Sequence, residues 1–398
     1  MRTFQWDRRD TIDAAGSTAV AERHNDASLA LFAQLLQEPG NLIFSPLSIR
    51  AALGIVVEGA RGETAVQMRT ALRWPAAGTE EHVAFAKLIQ RLNASGGRAY
   101  EMAVANSLWV QEGMALQPAF LELIATYHAG ELHPIDFRRE AASAYVEINR
   151  WVANKTKRRI LELVPPGCLS ADTDLVLANA VHFKGRWDLP FKRSATRREP
   201  FHVCGGGEVR AHLMHRKEEC PYRRGRGFQA VDLRYVGGDL SMLVLLPDEK
   251  EGLRELESTL SNGMLEDCVE NLSRREVDLF LPRFKLAWKS TAMEGQLSAL
   301  GMSLAFMRNG ADFSGINGCT PPHPESLSIS FLVHEAIIEV NEEGTEAAAA
   351  TTVGFERLLR PITQPVFRAD HPFLYAIRER RSSAILFLGR VTDPTLEQ

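Results

Sequence analysis

Residues 341–368 read NEEGTEAAAATTVGFERLLRPITQPVFR, and this stretch decides how the whole chain is interpreted. It follows a run of mostly apolar residues, 332–340, whose composition predicts a β-strand. The four alanines at 347–350 favour a helix, whereas the Thr-Thr-Val that follows them favours a pleated strand. The segment has no single local preference, so we expect it to be poised between conformations.

The same segment has side chains that suit a central β-strand. Alternate residues of an extended chain point to opposite faces of a sheet, and small side chains can enter a packed core with little strain. No proline before Pro361 removes a backbone donor. The composition also fits a flexible Ala-rich linker, which stays open as the alternative. One face would carry Thr345, Ala347, Ala349 and Thr351, and the other Glu346, Ala348, Ala350 and Thr352.

Outside this segment, the spacing of apolar residues predicts helices mainly first and strands mainly last, which is typical of an α+β fold. No Gly/Ser-rich or charged linker divides the sequence, so we expect one domain covering residues 1–398. The first helix would be capped by Asn25 or Asp26, and the second would begin at Pro46. Predicted helices cover 26–38 and 141–163, with further helices from 46 and from 62. Predicted strands cover 101–110, 175–182, 230–236, 240–246, 276–286 and 328–340.

Composition and charge give no support to several classes of partner. The 398 residues are 45% hydrophobic and carry a formal net charge of -4, so neither nucleic acid nor a membrane surface is expected as a partner. The N-terminus has early charges but no apolar core of the kind a secretory signal needs, which predicts a cytoplasmic protein. Basic stretches at 155–159 and 216–226 leave polyanion binding open, but solvated faces are the favoured interpretation.

Enzyme motifs do not assemble in this sequence. His334-Glu335 begins like the helix of a zinc peptidase, but the second histidine should fall where Ile338 stands. The sequence has no Gly-x-Ser-x-Gly elbow and no phosphate loop, and its five cysteines are scattered. We therefore expect no catalytic residues, no cofactor and no metal.

Several motifs, in order along most of the chain, resemble those of one family. The hinge-like Asn-Glu-Glu-Gly-Thr-Glu at 341–346, followed by alanines, resembles the hinge of serpins, a family of serine-protease inhibitors. Further serpin-like motifs are NLIFSPLSI at 41–49, NAVHFKGRW at 179–187, FRADHPF at 367–373 and FLGRV at 387–391. The resemblance implies about nine helices, three β-sheets with a large central sheet, and an exposed reactive-centre loop at about 342–367.

The resemblance also assigns roles to particular residues. Trp187 and Glu342 would lie where loop insertion starts, and Arg283 would pair with Glu342, although an ordinary surface arginine is the alternative. Ser45, Ser48, Asn179 and His334 would form a hydrogen-bonded cluster where the central sheet opens. The hinge would comprise Glu342, Glu343, Gly344, Thr345, Glu346, Ala347, Ala348, Ala349 and Ala350.

By the same resemblance, the chain would act as a suicide substrate that traps its target serine protease in a covalent complex, and it would be a monomer. The serpin spacing from Gly344 places the cleaved bond at Leu358-Leu359, which suggests a chymotrypsin-like, elastase-like or subtilisin-like target. A shift of one residue would place Arg357 there and predict a trypsin-like target. A non-inhibitory chaperone or ligand carrier is the alternative function. Because serpins occur inside and outside cells, an extracellular location also stays open.

Overall fold

The computed structural model describes residues 8–75, 82–83, 85–89, 100–127, 131–290, 293–345 and 364–396. These residues are α+β, as predicted, with nine bounded α-helices and fifteen strands. The stretches 82–83 and 85–89 are helical as well. The helices are α1 (Arg8–Leu35), α2 (Pro46–Val57), α3 (Gly62–Ala71), α4 (Pro118–Tyr127), α5 (Phe137–Lys155), α6 (Leu253–Thr259), α7 (Asn262–Glu270), α8 (Glu294–Ala299) and α9 (Ser314–Asn317).

The strands form two hydrogen-bonded sheets. The larger has nine strands in the order β1-β15-β14-β8-β7-β6-β9-β13, with β5 paired to β6, and the smaller has the order β10-β11-β4-β2-β3, with β12 paired to β4. The strands are β1 (Leu42–Phe44), β2 (Tyr100–Gln111), β3 (Glu131–Ile135), β4 (Leu175–Arg186), β5 (Arg197–Val203), β6 (Gly207–Arg224), β7 (Phe228–Arg234), β8 (Leu240–Pro247), β9 (Ser273–Pro282), β10 (Phe284–Ser290), β11 (Ile329–Val340), β12 (Gly344–Thr345), β13 (Val366–Arg368), β14 (Phe373–Glu379) and β15 (Ile385–Val391).

The smaller sheet is covered on both faces, which explains why β4 is buried and largely apolar from Leu175 to Phe183. Helix α2 contacts β2 and β4 on one side and β15 of the larger sheet on the other, so it lies between the two sheets. Helix α5 packs on the opposite face of β2 and β4. Along β4, Leu177 and Val181 face the α2 side, whereas Val176, Ala178 and Ala180 face the α5 side.

Strands β4 and β11 are parallel neighbours in the middle of the smaller sheet. Their pairing runs from Ile329↔Leu175 to Ile338↔Phe183. Beyond Phe183, β4 instead pairs antiparallel with the two-residue strand β12, through Gly344↔Arg186 and Thr345↔Gly185. Strands β4 and β11 are therefore directly paired along most of β4 and separate at the end of β4, where the predicted hinge lies between them.

Several predicted boundaries differ from the structure. Helix α1 begins at Arg8, so Asn25 lies inside it rather than capping it; the Asn25 amide bonds the backbone at Ser383 and Ile385 instead. Helix α5 ends at Lys155, because Lys157 and Arg158 adopt positive φ values of 52° and 61°. The strand expected at 276–286 is two strands, β9 and β10.

The number of sheets also differs from the expected three. Strand β6 runs unbroken from its pairing with β5 to its pairing with β7, so it joins what would be two sheets into one. The sheet that the hinge enters is consequently the smaller of the two. Within the described ranges, no helix combines the length and apolar character needed to cross a membrane.

Candidate functional site

The hinge begins as a tight hairpin at the end of β11. The Asn341 N–H donates to the Gly344 carbonyl at 2.8 Å, and the Gly344 N–H donates back to the Asn341 carbonyl at 3.2 Å. Glu342 and Glu343 therefore form a two-residue tip. Because the hairpin reverses the chain, β12 lies antiparallel against the end of β4.

Both the backbone conformation at position 344 and the close contact with β4 require a glycine there. Its φ of 137° lies in a region that residues with a side chain rarely adopt. A Cβ atom there would lie 2.1 Å from the Gly185 carbonyl oxygen and 2.6 Å from the Arg186 Cα, and backbone atoms cannot give way. The hinge glycine thus allows close contact between β12 and β4.

Glu342 anchors the hairpin tip. Its buried carboxylate accepts hydrogen bonds from the Arg283 guanidinium, including one from Nε at 2.8 Å, and from the Thr196 hydroxyl. Its carbonyl accepts from the Phe191 N–H at 2.7 Å. Burial alone would raise the pKa of Glu342, but the bonds from Arg283 and Thr196 outweigh it and hold that pKa below its usual range.

Trp187 and Arg193 hold the other side of the tip. The Trp187 indole N–H donates to the Asn341 carbonyl at 3.0 Å, and its backbone N–H donates to the Glu343 carbonyl at 2.9 Å. The buried indole stacks on Tyr235, with ring centroids 4.6 Å apart. Arg193 pairs with the Glu343 carboxylate at 2.8 Å. The tip is therefore fastened through both side chains and backbone.

A polar cluster lies deeper in the smaller sheet, between β4, β11 and the start of α2. Ser45 caps α2 by accepting the Ser48 N–H, and its hydroxyl donates to the Leu386 carbonyl at 2.8 Å. The Asn179 amide donates to the Ser48 hydroxyl at 2.6 Å and also to the side-chain carbonyl of Asn106. These bonds satisfy polar groups that burial would otherwise leave without partners.

His334 connects this cluster to β11 as a neutral imidazole. The Ser45 N–H points at Nε2 at 3.1 Å, so Nε2 accepts and Nδ1 carries the proton that is donated to the Asn179 side-chain oxygen. The ring is fully buried, and that burial lowers its pKa from 6.5 to about 3. A proton on Nε2 would remove the acceptor that Ser45 needs.

Comparisons with known proteins show the family to which the chain belongs. A family model described as "Serpin (serine protease inhibitor)" matches residues 22–394. The chain belongs to the serpin family. An uncharacterized serpin-like protein of Thermococcus kodakarensis is 35% identical, over 98% of this chain and 90% of its own length. The leukocyte elastase inhibitor of Bos taurus is 38% identical, over 89% of this chain and 93% of its own length.

Solved serpin structures share the fold. Uncleaved ovalbumin superimposes with a TM-score of 0.84 at 29% identity, covering 94% of this chain and all of its own. Arabidopsis AtSerpin1, in a native stressed conformation, gives a TM-score of 0.83 at 28% identity, covering 96% of this chain and 99% of its own. The serpin fold expected from the sequence is thereby confirmed.

The structure places the expected serpin site residues in two groups. Glu342, Glu343, Gly344, Trp187 and Arg283 meet at the hairpin tip. Ser45, Ser48, Asn179 and His334 meet in the polar cluster. Thr345 is paired with Gly185 through its backbone. Glu346, Ala347, Ala348, Ala349, Ala350, Arg357, Leu358 and Leu359 lie outside the described residues.

Sequence reasoning missed three residues of this serpin site. Asn106 completes the polar cluster, and Thr196 and Arg193 hold the hairpin tip. Asn106 carried a usable signal, since it is an amide in a strand that is otherwise largely apolar. Thr196 and Arg193 lie in a polar connecting stretch and carried none.

We expect acid to destabilise this serpin through His334. Its native pKa lies below the unfolded value, so the contribution to stability is fully present above pH 6.5 and is lost as the pH falls toward 3. The loss should reach about 2 kcal/mol by pH 5. Burial also lowers the pKa of His24 to about 3, so His24 should contribute a similar loss of stability in acid. Urea unfolding between pH 7 and pH 5 measures the slope, and His334→Gln and His24→Gln should each remove about half of it. An unchanged slope in His334→Gln would contradict the neutral assignment.

We also expect the Arg283–Glu342 ion pair to contribute more to the free energy of unfolding than the neighbouring Arg193–Glu343 pair. Arg283→Met should lower the free energy of unfolding by about 1–2 kcal/mol, because the buried carboxylate loses its main donor; the guanidinium is itself 39% exposed, which limits the effect. The matched control is Arg193→Met, whose partner is Glu343 and whose side chain is 70% exposed. It should cost less than about 0.5 kcal/mol in urea unfolding. Equal losses would argue against Glu342 as the anchor.

Proposed function

We propose that this serpin inhibits serine proteases as a suicide substrate, by inserting its cleaved loop between β4 and β11. The elastase-inhibitor relatives support serine-protease inhibition. The mechanism is supported by the strand register around the hinge. The single domain over residues 1–398, the monomeric state and the covalent complex stay predictions.

The observation that carries the proposal is that three strand registers agree. Continuing the β12–β4 pairing from Gly344↔Arg186 would bring Thr351 opposite Asn179. Continuing the hairpin from Asn341↔Gly344 would bring Thr351 opposite His334. His334 and Asn179 already pair with each other between β11 and β4. An inserted strand would therefore fit both neighbours without a slip and reach the polar cluster.

This register also decides which loop side chains would be buried. Thr345, Ala347, Ala349 and Thr351 would lie opposite Gly185, Phe183, Val181 and Asn179, on the face toward α2. Phe183 and Val181 are already fully buried, so only small side chains could enter without overpacking. Glu346 would lie on the other face, opposite Lys184 and Glu339, where both side chains are partly exposed.

Inhibition then follows from the order of events. The protease serine attacks the loop carbonyl and forms an acyl-enzyme, the first half of its normal cycle. The freed N-terminal arm inserts as a new antiparallel strand and gains ladder hydrogen bonds. From Thr345 to Leu358 an extended strand would span about 45 Å, so the attached protease is carried to the far end of the sheet. Distortion of its oxyanion hole there would stop hydrolysis.

We place the cleaved bond at Leu358-Leu359 and expect an elastase-like, chymotrypsin-like or subtilisin-like target. The elastase-inhibitor relatives favour the first of these. Mass spectrometry of the fragment released after brief digestion identifies the bond. Cleavage only after Arg357 would overturn the assignment and indicate a trypsin-like target.

One gel experiment tests the proposed inhibition. The serpin is incubated with elastase, chymotrypsin or trypsin and separated in SDS without reduction. A band that resists SDS, at the summed mass of serpin fragment and protease, is the expected result with at least one enzyme. Complete loop cleavage without such a band would refute the proposal and favour a non-inhibitory chaperone or ligand carrier.

A further inference from the structure

An open cleft lies where the C-terminal end of the loop rejoins the larger sheet. It has a volume of about 1100 Å³ and lies between β6, β7, β9, the end of α7 and the residues just before β13. We call it the loop-side cleft. Its charged lining residues are Arg223, Arg224, Asp267, Arg274, Arg275 and Glu276.

Two of the four arginines in the loop-side cleft already have a carboxylate partner. Arg223 pairs with Asp267 of α7 at 2.7 Å. Arg224 pairs with Asp248, just after β8, at 3.3 Å. These two arginines hold neighbouring elements together, so their charge is largely used within the molecule.

The other two arginines, Arg274 and Arg275, are not neutralised. Both are exposed at the start of β9, and in the described part of the chain neither makes an ion pair. Arg275 donates from Nε to the Ser273 hydroxyl at 3.3 Å. The next residue, Glu276, is paired with Lys217 at 3.7 Å. The cleft therefore presents two positive charges that are open to a partner.

Strand β13 sets these two arginines beside the loop. It pairs parallel with β9 through Val366↔Asp278. Counting back two residues in each strand brings Gln364 level with the residue that follows Arg275. The proposed cleaved bond, which begins at Leu358, is six residues further back, and an extended chain of that length spans about 20 Å at most.

A protease docked at that bond would cover the loop-side cleft. A protease domain of about 200 residues has a radius of gyration of about 16 Å, which corresponds to a sphere of about 21 Å radius. This radius matches the greatest distance between the cleaved bond and Gln364. The cleft arginines would thus meet the side of the protease that binds the residues after the cleaved bond.

We propose that Arg274 and Arg275 form a second contact surface for the docked protease and select proteases that carry acidic residues beside the site for residues 359–363. The inference rests on the proposed function, because it requires a serine protease to dock at the loop. Opposite charges on two surfaces speed their encounter, and guanidinium groups form bidentate hydrogen bonds with carboxylates. Two proteases that both cleave after leucine would then be distinguished by surface charge.

The test uses one protease at two surface charges. Whichever of elastase, chymotrypsin and trypsin cleaves the loop fastest is used as purified, and again after succinic anhydride has converted its surface lysines into carboxylates. The second-order rate constant for loop cleavage is measured with both forms at about 10 mM ionic strength, where charges act over about 30 Å. The ratio of the succinylated to the unmodified rate constant gives the charge preference of each serpin variant.

The charge preference of the wild type should be about tenfold greater than that of Arg274→Gln/Arg275→Gln. The matched control is Arg138→Gln/Arg139→Gln, which removes the same charge from exposed positions at the start of α5. That helix follows β3, which pairs with the end of β2 farthest from the hinge. The control should differ from the wild type by less than about twofold, because its arginines lie farther away than charges act.

Three results would overturn the contact surface. An unchanged preference in Arg274→Gln/Arg275→Gln would show that the protease does not meet the cleft, and equal losses in both double variants would show that only net charge matters. At about 1 M salt, where charges act over about 3 Å, the difference between the wild type and the cleft variant should disappear. A difference that persists there would refute selection by charge.

These rate constants can be measured whether or not a covalent complex forms. Absence of the SDS-resistant band, with the charge preference intact, would refute trapping and leave the contact surface standing. A covalent band that forms equally well with both forms of the protease, at equal rates in all variants, would refute the contact surface and leave trapping standing.

Discussion

Replacing Thr345 by arginine should convert this serpin from an inhibitor into a substrate of its target protease. The uncut structure already pairs the backbone of residue 345 with Gly185 at the end of β4, and in the proposed register its side chain would be enclosed on the α2 side of the sheet once the following residues insert. That region is tightly packed, since a Cβ on Gly185 would already lie 2.7 Å from the Tyr235 ring and 2.8 Å from the Phe183 ring. An arginine entering it would bury a guanidinium without a carboxylate partner.

The expected effect of Thr345→Arg is large because insertion competes with hydrolysis of the acyl-enzyme. A burial cost of about 4 kcal/mol at the start of insertion would slow that step about a thousandfold. Titration of a fixed amount of protease should show nearly every encounter ending in cleaved serpin and active enzyme. The gel should show the cleaved band and lose the covalent one.

Glu346→Arg provides the matched control for that experiment. Position 346 would lie on the opposite face, beside Lys184 and Glu339, whose side chains are partly exposed. An arginine there can reach water, so this variant should keep most of its covalent complex. If both variants formed the complex equally well, the proposed assignment of residues 345 and 346 to opposite faces of the sheet would be wrong. If only Glu346→Arg lost it, the register would be shifted by one residue.

The local sequence predicted those parts of the fold that depend on local preference. Pro46 predicts the start of α2, because proline suits the first helical position, and the structure confirms this start and adds a cap from Ser45. Continuous apolar runs predict the buried strands β2 and β4 to within a few residues. The hinge motif and its glycine follow from the serpin resemblance, and the left-handed geometry at Gly344 explains why that residue is a glycine.

The remaining features depend on contacts between distant residues, which local preference does not encode. Asn25 is a good helix cap by composition, yet its side chain bonds backbone groups at Ser383 and Ile385, far along the chain. Asn106 joins the polar cluster only because β2 pairs with β4, which brings it opposite Asn179.

Cutting the loop should make this serpin more resistant to heat, which is the largest effect we expect on stability. Insertion exchanges the direct β4–β11 pairing for two ladders, a net gain of about one hydrogen bond per inserted residue. Thr345 is already paired with β4 before the cut, so at about 1 kcal/mol each the residues from Glu346 to Thr351 would contribute about 6 kcal/mol. For 398 residues, whose unfolding entropy is about 0.8 kcal/mol per kelvin, the melting temperature should rise by at least about 7 °C.

The cut should be made with a metalloprotease that cleaves within residues 346–363, because such an enzyme forms no acyl-enzyme and leaves the nicked serpin free. Differential scanning calorimetry then compares nicked and intact protein. Nicked Thr345→Arg is the matched control, since its arm is cut but its insertion is obstructed at the first step, so its melting temperature should stay near that of the intact form. A nicked wild type that melts no higher than the intact protein would show that the uncut fold stores no energy for insertion, and trapping would then have no driving force.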